Sequence, residues 1–320
     1  MICVTGGAGF IGSNLVRALA ARGADVVVVD DLTAGEKFRN LVGARLADYL
    51  DKDDFYALVA RRDAWLERVE AVFHLGAITS TTCADGRLMM RANYDCSRAL
   101  LEACGARRVP LVYASSAAVY GAGRVFREAP EHEQPINVYA FSKMLFDHLV
   151  RRALPAPPAP LVGLRYFNVY GPREDHKGPM ASVALQLYDQ LRQTGEARLF
   201  AGCGGYGDGE QRRDFVSVDD VVAVNLWFLE HGGPSGIFNV GTGRARSFND
   251  VAAAVIRGLG RGRVRYVPFP ATLAGAYQSF TEADLGTLRA AGYGGAFRDV
   301  DEGVGAYVAW LEARGGTEAA

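Results

Sequence analysis

Several things are missing from this chain of 320 residues, and each absence removes a class of function. No run of Lys and Arg offsets a formal net charge of -1, so the sequence-independent attraction to phosphate on which nucleic-acid binders depend has no footing. No apolar run approaches the roughly 20 residues that span a bilayer. The first strand-like run begins at Ile2, which leaves no room for a secretory leader, so a cytoplasmic protein that contacts neither membrane nor nucleic acid is expected. Five cysteines, Cys3, Cys83, Cys96, Cys104 and Cys203, contain no C-x-x-C pair and have no His cluster beside them. Neither a metal site nor a disulfide framework is therefore expected. Internal repeats and long charged tails are also absent.

What remains, at 49% hydrophobic and 22% charged, is ordinary globular material with enough chain for one large domain or two joined ones. Continuous apolar runs at residues 26–29, 71–74, 111–114 and 161–167 read as strands, separated by helical patterns near 53–60, 88–104 and 139–152. That alternation predicts an α/β fold, a Rossmann-type doubly wound parallel sheet whose strands are covered on both faces. The proline-rich stretch Pro155-Ala-Pro-Pro-Ala-Pro160 reads as a stiff surface connection rather than a docking peptide. After Phe167 the rhythm becomes mixed, with a helix near 182–193 and a strand at 198–200. Residues 214–218, 221–229 and 237–240 read as a strand, a helix and a strand returning to the sheet. Ser247-Phe-Asn-Asp250 starts another helix. The smaller α/β substrate domain is thus expected to be discontinuous, built from 171–213 with 241–314. The dinucleotide-binding domain takes 1–170 with 214–240, and 315–320 forms a flexible tail.

Three segments carry chemistry. Ile2-Val4 runs into a turn with Gly6, Gly9 and Gly12 and then into a helix with the stripe Ile11, Leu15, Ala18 and Leu19. Strand, glycine turn and helix in that order suit a dinucleotide pyrophosphate lying on the helix N-terminus. Ser115 and Ser116 close the run 111–116, where ligands bind in open α/β sheets. Tyr139 and Lys143 stand four residues apart, on one helix face. A neighbouring cation stabilises phenolate, so Tyr139 is expected to have a lowered pKa and to act as a general base, with Ser116 bonding the same substrate oxygen.

In this order the segments resemble the extended short-chain dehydrogenase/reductase family of NAD-dependent epimerases and dehydratases. The resemblance is carried by Thr5-Gly-Gly-Ala-Gly-Phe-Ile-Gly12, His74-Leu-Gly-Ala77, Ser115-Ser116 with Val119-Tyr120-Gly121, and Tyr139-x-x-x-Lys143, and it covers nearly the whole chain. It implies that Gly6, Gly9, Phe10, Ile11 and Gly12 hold the pyrophosphate and that Leu75, Gly76, Ala77, Ile78 and Thr79 line the cofactor. It further implies that Asp31 and Val169 also face the cofactor, that Asn93 orders the site, and that Ser116, Tyr139 and Lys143 perform the redox chemistry.

A narrower likeness, to the branch of that family acting on ADP-heptoses, runs through Tyr166-Phe-Asn-Val-Tyr-Gly-Pro-Arg-Glu-Asp-His-Lys177-Gly-Pro-Met-Ala-Ser182, Arg213-Asp-Phe215 and Tyr277-Gln-Ser-Phe-Thr281. It implies oxidation at C6 of a nucleotide-linked heptose to a 6-keto sugar and reduction from the opposite face, with Tyr139 and Lys177 as the two proton-handling groups. Lys177 would also touch the cofactor. Without the resemblance it reads as a loop lysine. Substrate contacts are implied for Asn168, Pro179, Gln186, Phe200, Ala201, Gly202, Cys203, Arg213 and Tyr277. A guanidinium fork such as Arg213 suits a diphosphate, although a salt bridge to Asp214 or to a neighbouring helix is the plain alternative.

For the cofactor, Asp30 stands where a carboxylate accepts from a ribose 2′-hydroxyl, which favours NAD. Lys37 and Lys52 match positions that would neutralise a 2′-phosphate, and NADP is the expectation. Pro179, Gln186 and Leu75 depart from the usual serine, histidine and acidic residue. A UDP-hexose 4-epimerase or a dehydratase would need the same Ser116, Tyr139 and Lys143, but Ala117-Ala118 lacks a dehydratase's acidic pair. A non-catalytic dinucleotide sensor could dispense with Tyr139 and Lys143. A homo-oligomer, a ring of five by resemblance, completes the expectation.

Overall fold

The computed structural model describes residues 1–270 and 278–318, with side chains to residue 314. The first six strands are β1 (Ile2–Thr5), β2 (Val26–Asp30), β3 (Asp48–Asp51), β4 (Ala71–His74), β5 (Leu111–Ser116) and β6 (Leu161–Tyr166). Then come the short strands β7 (Asn168–Tyr170), β8 (Glu196–Phe200), β9 (Arg212–Arg213) and β10 (Phe215–Ser217), followed by β11 (Gly236–Val240), β12 (Arg246–Ser247) and β13 (Arg263–Val267). The helices are α1 (Phe10–Ala21), α2 (Lys52–Ala60), α3 (Gly86–Met90), α4 (Cys96–Arg107), α5 (Val138–Ala153), α6 (Val183–Thr194), α7 (Val218–His231), α8 (Phe248–Leu259), α9 (Gly286–Ala290) and α10 (Val300–Glu318).

The central sheet is seven-stranded and parallel, in the order β11-β6-β5-β4-β1-β2-β3. Both faces are apolar because successive side chains of a strand point to opposite sides. Ile2 and Val4 join Leu15, Leu19, Val221 and Phe228 in one layer. Cys3 joins Phe55, Leu100 and Phe146 in the other. The direction of winding reverses between β1 and β4, and a crevice opens there at the carboxyl ends of the strands. A second core, packed by α6, α8 and α10 against β8, includes Leu187, Val255 and Val304.

Several boundaries differ from the sequence reading. Residues 214–218 do not return to the large sheet. Phe215–Ser217 pairs with β7 in a separate ladder, and α7 begins already at Val218. Leu288, Tyr293 and Phe297, expected in the smaller unit, pack in the first core beside Phe228. The edge strand β3 is half-exposed and acidic at both ends, so it lacks the apolar run that marks a buried strand. β13 escapes notice for the same reason, since Arg263 and Arg265 point to water and pair with Glu196 across β8. α10 continues to Glu318, past the expected start of a tail. The capping box at Ser247 and Asp250 forms as its spacing predicts.

A Cβ added at Gly12 would lie 2.0 Å from the Gly6 carbonyl oxygen. Gly12→Ala is therefore expected to destabilise the fold by about 1–3 kcal/mol through overpacking, read as a lower unfolding midpoint in urea. An unchanged midpoint would show that the turn is not closed in this way.

Candidate functional site

The turn between β1 and α1 is shaped to admit an anion. Gly6 has φ +67, and a Cβ there would sit 2.6 Å from the Gly76 backbone nitrogen, so only glycine lets the β1 and β4 loops meet. Side chains cap α2, α5, α6, α7 and α8. At α1 no side chain caps the N-terminus and no acidic residue occupies its first turn. The amides of Phe10, Ile11 and Gly12 therefore start a helix whose positive end is bare, which fits a pyrophosphate. Asp30 clamps the turn from below. Its Oδ2 accepts from the Ala8 amide at 2.7 Å and its Oδ1 accepts from the Asp31 amide at 2.6 Å and from Lys37. Asn40 donates to the Ala8 carbonyl at 2.9 Å. Asp30 thus clamps the turn, a contact its spacing did not announce. Asp31 pairs with Lys52, whose hydrogen bond holds the carboxyl below its ordinary range.

Across the switch point, a polar chain fixes the loop after β4. Thr5 Oγ1 bonds His74 Nδ1 at 2.7 Å, His74 Nε2 bonds Ser97 Oγ at 2.8 Å, and Ser97 donates to the Asn93 carbonyl at 2.6 Å. The Asn93 amide grips Ile78, accepting from its N–H at 2.8 Å and donating to its carbonyl at 2.9 Å, and reaches Ser142 on α5 at 3.2 Å. Asn93 can do this because residues 91–95 form a π-helical turn between α3 and α4, a distortion that re-aims a side chain. Leu75, Gly76, Ala77 and Ile78 are half-buried and Thr79 is exposed, together forming a lip of the crevice. Thr5, His74, Ser97 and Ser142 were not read as site residues, because the π-turn that connects them has no sequence signature.

Ser116 ends β5 and Tyr139 stands in the first turn of α5, held by the Asn137 side chain accepting from the Ala140 amide at 2.8 Å. The two side chains share a hydrogen bond. Here the expected lowering of the tyrosine pKa is not seen. Burial holds the Tyr139 phenol above its ordinary range, with the Ser116 bond working against burial. The Lys143 ammonium does not offset this burial, since it donates to the Ala114 carbonyl at 2.8 Å. Burial pulls that ammonium down to about 8, opposed by the charge of Asp147 one turn further on. Asp147 is itself sealed from water and accepts from Tyr113 at 2.8 Å, Ser115 at 2.9 Å and Arg165 at 2.9 Å.

Lys177 lies in the 3-10 turn that follows Glu174, its Nζ 3.8 Å from Glu174 Oε2 and 5.0 Å from the centre of the Phe10 ring. It therefore reaches the start of α1. A signal that sets it apart was overlooked. Of 35 cationic Lys and Arg residues only four are lysines, Lys37, Lys52, Lys143 and Lys177, and a lysine in this chain is no common surface residue. Asn168 is exposed and Val169 half-buried on β7. Gln186 donates to the carbonyls of Pro179 at 3.1 Å and Ala181 at 2.8 Å, so its amide nitrogen ties down the Lys177 loop. Phe200, Ala201, Gly202 and Cys203 leave β8 in a loop held by Gly202 donating to Asp208 at 2.8 Å and by Gln211 near Cys203 at 3.3 Å. Arg213 is buried, donates to the Arg212 carbonyl and lies 5.9 Å from the Phe248 ring centre. The carboxylate of Asp214 is taken by the amides of Thr242, Gly243 and Ala283, so the suspected salt bridge is replaced by a loop tie. Tyr277 lies outside the described residues. Among the described residues no cluster of ligands suits a metal, and no helix is long and apolar enough to cross a membrane.

Residues 2–241 match the NAD dependent epimerase/dehydratase family. The chain is 59% identical over 309 residues to the ADP-L-glycero-D-manno-heptose-6-epimerase of Alkalilimnicola ehrlichii, covering 96% of each. It superposes on the crystal structure of the Helicobacter pylori ADP-L-glycero-D-manno-heptose-6-epimerase with TM-score 0.84 at 33% identity, covering 98% of this chain and 96% of that one. The Thermus thermophilus UDP-glucose 4-epimerase in complex with NAD gives TM-score 0.79 at 31% identity, over 97% and 98%.

The buried imidazole of His74 is held neutral, its pKa pulled down by desolvation from 6.5 to about 3. Between those values the unfolded chain takes up a proton that the folded chain refuses, so stability falls as pH falls. His74→Gln is expected to narrow the gap in unfolding free energy between pH 7 and pH 4.5, measured by urea denaturation. An undiminished gap would assign the acid sensitivity to other groups.

Proposed function

The chain belongs to the NAD dependent epimerase/dehydratase family, and within it we propose that it inverts C6 of the heptose in ADP-D-glycero-D-manno-heptose to give ADP-L-glycero-D-manno-heptose, a precursor of the lipopolysaccharide core. What carries the reading is the union of Ser116, Tyr139 and Lys143 with the Lys177 loop in a chain alike over 96% of its length to the A. ehrlichii heptose epimerase. The bare α1 terminus and the Gly6–Gly76 approach fit a dinucleotide, held by Phe10, Ile11 and the loop from Leu75 to Thr79. When bound, that group supplies a reversible hydride acceptor.

The chain's own residues handle the proton and the charge. Tyr139 takes the hydroxyl proton as the carbon becomes a carbonyl, with Ser116 bonding the same oxygen. Lys143, one helical turn away and now bonded to the Ala114 carbonyl, is the cation whose turn toward the phenol would favour the phenolate. Inversion calls for a second proton donor on the other side of the sugar, and this role falls to Lys177. Arg213 and the loop of residues 200–203 take the nucleotide-sugar, with Asn168, Pro179 and Gln186 along the second wall.

The cofactor we read is NADP. Lys37 and Lys52 pair with Asp30 and Asp31, so the two carboxylates at the end of β2 do not confront a 2′-phosphate uncompensated. Mass spectrometry of the dinucleotide released from purified protein tests this, and NAD alone would overturn it. The reading also carries a cytoplasmic homopentamer, which sedimentation velocity would weigh.

Incubation with ADP-D-glycero-D-manno-heptose and, separately, UDP-glucose is the deciding experiment, since inversion of only the uridine sugar would sink the assignment. Tyr139→Phe should lower kcat by about 10²–10⁴-fold, the scale of general acid–base catalysis, with dinucleotide retained. Lys177→Met should likewise lose inversion while keeping its fold and cofactor. Wild-type turnover in either variant would remove that residue from the mechanism.

A further inference from the structure

Glu174 was not read as a site residue, yet its carboxylate is shut away from solvent at the base of the loop that carries Lys177. A buried carboxylate is costly unless its lone pairs are used, and here they are. Oε1 accepts from the Ser182 hydroxyl at 2.6 Å and from the Gly171 amide at 3.3 Å, and Oε2 accepts from the Ser182 amide at 2.6 Å. Lys177 Nζ stands 3.8 Å from Oε2. The backbone is bent to achieve this. Gly171, Arg173 and Gly178 all have positive φ, at 143, 71 and 52, and Arg173 adopts its value without being glycine. Such a conformation persists only where the surroundings impose it. Arg173 is pinned by donating to Asn14 Oδ1 at 2.7 Å and by the Trp310 ring at 5.8 Å.

We infer that Glu174 is the positioning residue of Lys177, its buried carboxylate fixing the loop and holding the lysine as an ammonium over Phe10 at the cofactor-binding turn. The inference rests on the catalytic role read for Lys177 above. Burial lowers the Lys177 pKa and Glu174 is the charge that opposes it. Asp175, turned toward Arg314 at 2.6 Å, and His176, bonded to Asn40 at 3.1 Å, flank Lys177 in the chain. Lys37 acts on the same His176, and the buried Tyr307 of α10 feels the Glu174 charge. The first contact of Lys177 is nonetheless Glu174.

The test uses the full-length holoenzyme. With four lysines in the chain, 13C-lysine labelling gives four side-chain signals, and Lys177→Met assigns the one of interest. Glu174→Gln should move the titration of that signal to lower pH, and an unmoved titration would overturn the proposal whatever the substrate proves to be. In turnover, Glu174→Gln should lose at least about tenfold in kcat with KM within about twofold, the mark of an interaction made in the transition state. The double variant with Lys177→Met should be no slower than Lys177→Met alone, because residues acting as one unit are not additive. Additive losses would assign Glu174 a merely structural role. Should Glu174→Gln fail to fold, Glu174→Asp carries the test. Its retained charge should keep the Lys177 titration near wild type while the shorter arm lowers kcat, and a wild-type kcat would overturn the proposal. Failure of wild-type protein to turn over the ADP-heptose would sink the function proposed above, and the titration would still decide the Glu174–Lys177 coupling.

Discussion

The ion pair between Asp147 and Arg165 is the contact on which the rest of the site depends. Both side chains are withdrawn from water, and the pair joins α5 to β6 while Tyr113 and Ser115 of β5 donate to the same carboxylate. Arg165 also engages Glu133, which Arg151 and His148 hold from α5, and its guanidinium lies 5.0 Å from the Tyr120 ring centre. Removing one partner of such a pair typically costs about 3–5 kcal/mol, since the other is left buried and unpaired. Ser116 stands one residue beyond Ser115, and Lys143 one helical turn before Asp147. Ser116 and Lys143 therefore inherit their spacing from this buried charge cluster.

The same cluster links the two halves of the molecule. β6 continues almost directly into β7, and β7 leads to Gly171 and Glu174, where the loop carrying Lys177 begins. Tyr120, packed beside Arg165, donates to Asn239 on β11 at 2.7 Å, and Asn239 in turn donates to the carbonyls of Phe126 and Asp284. The ends of β5 and β6, helix α5 and strand β11 thus share one set of buried polar groups. Such networks specify a single arrangement because a half-satisfied alternative leaves charges without partners in a low dielectric.

How much of this could be read from the chain depends on the kind of interaction. The doubly wound sheet was legible because continuous apolar runs and helical periodicity are local patterns, and the glycine turn was legible because Gly6 and Gly12 are demanded by contacts within a few residues or one neighbouring loop. Ser116, Tyr139 and Lys143 could be placed at one strand end and one helix face. Their charge states could not, because these depend on where the Lys143 ammonium points and on Asp147 behind it. The clamp that Asp30 makes on the glycine turn was hidden for a similar reason, since its spacing from that turn is the same whether or not it bonds the Ala8 amide. The chain of contacts from Thr5 through His74 and Ser97 to Asn93 joins residues up to 92 positions apart in the numbering only through a π-turn, and no residue type announces one.

The division of labour between the two cationic side chains gives the site its chemical logic. Arginine keeps its charge under almost any burial and binds carboxylates through a rigid fork, so it serves where a permanent charge must be held. Arg165, Arg151, Arg246 and Arg298 do this work in buried or bridging pairs. Lysine yields its proton when desolvated, and its four occurrences in this chain all lie around the crevice. Lys37 and Lys52 meet carboxylates at the end of β2, while burial lowers the pKa of both Lys143 and Lys177. An ammonium whose affinity for its proton is adjustable is what the proposed proton transfer to a sugar carbonyl requires, and what a structural ion pair must avoid. Lysine thus divides here between two ion pairs at the end of β2 and two buried positions where desolvation loosens the proton.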